Sequence, residues 1–217
     1  MKTVQRTFLI VMICFTLAIT EGCGSRVKHS GFLKDYPDFK PGRGVDLSYV
    51  KENVDFKYNK VMIDQVVFYF SKDAKYRGIH AGELQELADA FHKAMTGALE
   101  DGYPLVAEPG PDVLRVRCAI TDVVATRQFW NTATTVTSKG VTIKRSMSED
   151  YNPVGGASME IDLLDSQSGE RIAAAIDTKM AEEYEVVKGL KKWGHAENTF
   201  NFWAKRLREW LDEVHGK

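Results

Sequence analysis

The sequence predicts an α+β fold, a single two-layer domain in which a mainly antiparallel sheet carries two main helices packed on one face. Three observations predict it. Residues 113–124, VLRVRCAITDVV, place Leu114, Val116, Cys118 and Ile120 on one side of a strand and Arg115, Arg117 and Thr121 on the other. Two segments switch to helical spacing: Leu84, Leu87, Phe91, Met95 and Leu99 within 80–101, and Phe200, Trp203, Leu207, Trp210, Leu211 and Val214 within 196–215. The order is strand, helix, strand, a Thr-rich excursion, a hairpin and a last helix, a mix that gives an α+β domain with the helices on one face of a mainly antiparallel sheet.

Val61–Phe70 (VMIDQVVFYF) is β-branched and aromatic with little alternation, and predicts a central strand covered on both faces. The helix over 80–101 has an acidic first half and stops at Asp101-Gly102 and Pro104. Its crossover can set the flanking strands parallel. Ala157, Met159, Ile161 and Leu163 alternate with Ser158, Glu160 and Asp162. The turn Asp165-Ser166-Gln167-Ser168-Gly169 joins them to Ile172, Ala174 and Ile176 as a hairpin. If the 113–124 and 157–163 strands are neighbours, Arg115 and Arg117 form cross-strand ion pairs with Glu160 and Asp162. Gly155-Gly156 marks close packing where the hairpin begins.

The domain is expected over 56–217, with 23–55 as a tether and lead-in. Pro37, Pro41, Gly42 and Gly44 break regular structure there, while Phe32, Leu33, Tyr36, Phe39, Leu47 and Tyr49 are apolar enough to pack along the domain. Residues 126–152 form a Thr-rich excursion holding Phe129, Trp130 and a possible turn at Lys139-Gly140. It extends the sheet as a projecting hairpin or stays mobile, and its aromatics suit a partner surface, a lipid interface or the edge of the core.

Residues 1–22 have the layout of an export signal. Lys2 and Arg6 precede an uncharged, mostly apolar run from Phe8 to Ile19, and Gly22-Cys23 closes it. This run of twelve residues falls short of the about 20 apolar residues that span a bilayer. The segment resembles bacterial lipoprotein signals, in which the cysteine is acylated and becomes the mature amino terminus. That resemblance implies lipidation, palmitate among the acyl groups, at Cys23. Gly22 and Cys23 match its box, whereas Thr20 and Glu21 depart from it. Gly24, rather than Asp, implies the periplasmic side of the outer membrane. A plain secreted protein, cut near Ala18 or Thr20, is the other reading.

Without the first 22 residues the chain has 27 basic and 29 acidic residues, formally −2. This is not the basic excess of a nucleic-acid-binding domain. Cys118, on the apolar face of its strand, is expected to be buried as a small hydrophobe. His29, His80, His92, His195 and His215 show no metal-ligand spacing. His80 and His92 stand about 18 Å apart along a helix, which suits surface or capping roles. No nucleophile elbow, phosphate loop or dinucleotide fingerprint occurs, so no catalytic residue, metal or cofactor is assigned. Glu160 and Asp162 share one strand face. A solvated surface is the expected reading of that pair, with acid–base chemistry as the alternative.

SGFLKDY (Ser30–Tyr36), YRGI with GELQELADAFHKA (Tyr76–Ala94), VLRVRCAITDV, GGASMEIDLLDSQSGERIAAAID (Gly155–Asp177) and WGHAENTFNFWAKRLR (Trp193–Arg208) follow one another in the chain. Together they resemble the DUF3313 family of bacterial lipoproteins, over roughly residues 30–212. The resemblance implies an α+β lipoprotein and carries over no catalytic residue. Two functions are therefore weighed. One is a membrane-anchored, non-catalytic binding or scaffolding module that meets another envelope protein through 126–152. The other is an envelope hydrolase working through carboxylates such as Glu160 and Asp162.

Overall fold

A computed structural model describes residues 29–72, 74, 78–126, 130–137, 140–147, 155–180 and 192–217. Nine strands and two helices are seen among them. They are β1 (Lys40–Pro41), β2 (Leu47–Val50), β3 (Lys60–Ile63), β4 (Val67–Phe68), α1 (Ala81–Leu99), β5 (Val113–Val124), β6 (Trp130–Thr137), β7 (Gly140–Met147), β8 (Gly156–Asp165), β9 (Arg171–Met180) and α2 (Gly194–Val214). The main sheet runs β1-β2-β9-β8-β5-β3, with β4 following β3 along β5. Among the described strands only β3 and β4 run parallel to their neighbour, and α1 is the crossover between them and β5. This is the two-layer α+β architecture with both helices on one face.

The long strands obey their alternation. Leu114, Val116, Cys118 and Ile120 of β5, with Met159, Ile161 and Leu163 of β8, are buried in the core beneath the helices. α1 contributes Leu87, Phe91, Met95 and Leu99, and α2 contributes Phe200, Trp203, Leu207 and Leu211. The helices meet through aromatic rings: Phe91 and Phe200 stack with centroids 4.8 Å apart, and Trp203 lies 5.6 Å from Phe91. Cys118 is buried as expected. Its Sγ lies 3.4 Å from the Met95 Sδ, and burial pushes the thiol pKa up, away from reactivity. Gly156 is dictated by a close approach, because a Cβ there would stand 2.2 Å from the Lys179 carbonyl oxygen.

The 61–70 segment corrects one expectation. It is two short strands at the sheet edge, not one central strand. Asp64 interrupts it, its carboxylate receiving Nε (2.9 Å) and Nη2 (2.8 Å) of Arg115. The backbone continues to follow β5 on both sides, with Asp64 N–H donating to the Val116 carbonyl and Tyr69 N–H to that of Ile120. Only one face is covered: Val61 and Val66 are buried, whereas Val67 and Tyr69 are exposed. The central positions go to β5, β8 and β9, whose 10–12 residues give the longer ladders.

The lead-in packs along the domain and supplies two strands, β2 pairing with β9 from Leu47↔Ile176 to Val50↔Ala173. In the 126–152 excursion, β6 and β7 pair with each other from Trp130↔Met147 to Thr137↔Gly140 and form their own two-stranded sheet. Phe129 and Lys139 lie outside the described residues.

Candidate functional site

Glu160 and Asp162 leave β8 on the face opposite the helices. They do not form the solvated pair expected from alternation. Both are buried, at 0% and 2% exposure, because the lead-in crosses over them as a strap. Glu160 is where the strap is fastened. Its carboxylate accepts the Ser30 N–H at 2.6 Å, the Leu33 N–H at 3.4 Å and the Tyr36 hydroxyl at 2.9 Å. Leu33 is 1% exposed beneath the same segment. Burial and the neighbouring Glu160 charge raise the Tyr36 phenol above its ordinary pKa, which keeps it a donor.

Asp162 is held by a different set. Arg171 donates to it from Nε at 2.6 Å and Nη2 at 3.2 Å, and also reaches the Asp35 carboxylate in the strap at 2.6 Å. Arg117, directly across the ladder from Asp162, approaches it at 3.7 Å and lies 5.1 Å from the Phe32 ring centroid. The expected cross-strand pairing is therefore met by Arg117 and Asp162. Arg115 pairs with Asp64 instead, and among the described residues Glu160 takes no cation as a hydrogen-bond partner but two backbone amides and a phenol.

Chemically this is a clamp. General acid–base work needs a carboxyl within hydrogen-bond reach of a substrate proton. Here the strap occupies the space a substrate would need. Sequence reasoning missed Ser30, Tyr36 and Arg171, since an irregular segment carries no period that shows where it docks. Tyr36 and Asp35 inside an otherwise linker-like stretch were the available signal.

On the helix face a further buried carboxylate, Asp177 of β9, accepts the Trp203 Nε1–H at 2.6 Å and the Asp46 N–H at 2.8 Å. Burial raises its pKa above the ordinary 3.8. Beside it, β2, β8, β9 and α2 leave a cleft of about 170 Å³. Cys23 lies outside the described residues. Among the described residues no three His, Cys, Asp or Glu side chains gather as a metal site. His195 is buried beside Gly155, and His80 precedes α1 without making a side-chain cap. No described helix is long and apolar enough to cross a membrane.

These features define an α+β domain with helices on one face and a strapped, charged back. The chain belongs to the family described as protein of unknown function (DUF3313), whose model matches residues 28–207. It is 27% identical over 127 residues to the uncharacterised lipoprotein YdcL of Escherichia coli strain K12. That match covers 55% of this chain and 57% of YdcL, so the chain spans little more than half the length of the curated relative. Among solved structures, the PelC dodecamer of Paraburkholderia phytofirmans is similar at a TM-score of 0.36 and 8% identity, covering 74% of this chain and 92% of that one. Protein XCC0632 of Xanthomonas campestris is similar at a TM-score of 0.38 and 15% identity, covering 70% and 83%.

Proposed function

We propose that this protein is an exported lipoprotein, anchored through acylated Cys23 to the periplasmic side of the outer membrane, and that it is a non-catalytic binding or scaffolding module. The observation that carries the reading is Gly22-Cys23 at the end of an export-type signal. Two others support it. A curated relative is a lipoprotein. Cys118 is committed to the core, so once residues 1–22 are gone Cys23 has no free thiol to pair with in the folded chain. Several acyl chains, each buried methylene contributing about 0.8 kcal/mol, give stable attachment. Mass spectrometry of the mature amino terminus should find Cys23 carrying lipid. A free terminus at any other residue ends this reading.

The partner is another envelope protein, and the contact is the 126–152 hairpin, whose described strands pair with each other and not with the main sheet. Removing residues 128–150 should leave the anchored domain folded and abolish co-purification of its partner. Unchanged recovery would count against this surface. The hydrolase alternative is set aside because the strap closes off Glu160 and Asp162, the carboxylates it would use.

A further inference from the structure

We propose that the edge of the strapped face formed by Phe32, Val67 and Tyr69 lies against the phospholipid surface. Such a contact rests on the acylation of Cys23 proposed above, and adds to it which face of the domain meets the lipid. β4 sets up the patch. Val67 pairs with Ala119 and Phe68 with Ile120 of β5. Phe68 therefore turns to the helix side with Ile120, and Val67 and Tyr69 turn to the strap side. Both helices lie on the other face, and Val67 and Tyr69 are left 43% and 46% exposed. The strap extends this patch instead of hiding it. The Phe32 ring centroid lies 6.1 Å from that of Tyr69, and a Cβ on Gly31 would stand 3.6 Å from the Tyr69 ring. Neighbouring exposed apolar side chains with an aromatic ring beside them form a patch, which scattered single ones do not. Tyrosine suits a lipid interface, with its ring on the apolar side and its hydroxyl on the wet side.

Position and charge select lipid as the occupant. Gly31 and Phe32 directly follow Ser30, whose N–H is fastened to Glu160, and Cys23 lies seven residues before Ser30. The patch therefore begins where the anchored chain joins the domain. Carboxylates beside it are neutralised within the protein, Asp35 by Arg171 and Asp64 by Arg115. Lys34 and Lys72 follow Phe32 and Tyr69 closely in sequence. Both are exposed, and neither has a carboxylate partner among the described residues. The helix side has the opposite character, with Glu86 and Asp89 exposed on α1. Anionic head groups attract the first face and repel the second.

The test uses the full exported chain, purified from membranes and reconstituted in vesicles of phosphatidylethanolamine and phosphatidylglycerol. A maleimide dye is attached at Tyr69→Cys, or at Gln85→Cys on α1 as the opposite-face control. Cys118 is buried and stays unlabelled. When the vesicle lipids carry bromine on their acyl chains, the dye at position 69 is expected to lose emission and the dye at position 85 to keep it. Val67→Cys should repeat the result even where Tyr69→Cys disturbs the packing of Phe32. Mass spectrometry of the same sample reads the lipid on Cys23, so two failures are told apart. A chain without lipid overturns the anchor reading, and this contact with it. A lipid-bearing chain whose dye at positions 67 and 69 is quenched no more than at 85 overturns the contact alone and leaves the anchor standing.

Discussion

Glu160→Ala is expected to release the strap and destabilise the fold by about 2–4 kcal/mol. The carboxylate is fully buried and accepts from Ser30 N–H, Leu33 N–H and the Tyr36 hydroxyl. A buried donor deprived of its acceptor costs about 1–3 kcal/mol, more where the lost acceptor was charged. The strap can escape that cost only by lifting into water. Lifting exposes Leu33, whose burial contributes about 1.5–3 kcal/mol, and frees Phe32 from Arg117. Either route ends in a weaker fold. Glu160→Gln should cost less, because it keeps the volume and one acceptor oxygen. Urea denaturation gives the energy, and trypsin cleavage at Lys34, an exposed strap residue, reports undocking. An alanine variant within about 0.5 kcal/mol of the parent, with unchanged cleavage, would mean the strap is held by other contacts.

Trp203→Ala should be the more damaging change, at about 3–5 kcal/mol for a large aromatic truncated in a core. Trp203 is 3% exposed and packs beside the stacked Phe91 and Phe200 rings where the two helices meet. It also serves Asp177, donating its indole N–H to a buried carboxylate. Trp203→Phe separates the two roles. It keeps most of the ring packing and loses the donor, at about 1–3 kcal/mol. That smaller deficit should depend on pH. Burial already places the Asp177 pKa above 3.8, and loss of the indole donor raises it further. A carboxyl raised in the folded state contributes its stability below the unfolded pKa and loses it as pH rises through the folded one. The Trp203→Phe deficit should therefore be smallest below about pH 3.8 and grow toward neutral. Thermal melts at acid and neutral pH check it, and a deficit that is flat or larger in acid would contradict the assignment.

The sequence made the periodic parts legible. β5 spans Val113–Val124 as its alternation required, the β8–β9 hairpin turns at Asp165–Gly169, and both helices bury most of the stripes their spacing marks, with Leu84 and Trp210 half-buried and Val214 exposed at the end of α2. Alternation also placed Glu160 and Asp162 on the face away from the helices. It was silent on whether another segment would cover that face. Period 2 distinguishes two sides of a strand, and exposure depends on tertiary neighbours that share no period with it. The strap, broken by Pro37 and Pro41, has no such period. The same limit explains Val61–Phe70. Its β-branched and aromatic run identified a sheet-forming segment, but Asp64 interrupts it by pairing with Arg115 on the adjacent strand, a contact visible only once β3 and β5 are side by side. Asp177 and Trp203 belong to the same group, since nothing local links a strand carboxylate to an indole 26 residues later.

Fastening the chain at Ser30 also sets a leash length. From Cys23 to Ser30 there are seven residue steps, which fully extended reach about 25 Å. On the proposed acylation of Cys23, Ser30 at the strapped face of the sheet would be held within that height of the lipid head groups, less than the length of α2 itself. A domain anchored in that proposed way would be a low-lying feature of the membrane surface, and anything docking on it would have to come down to the bilayer to do so.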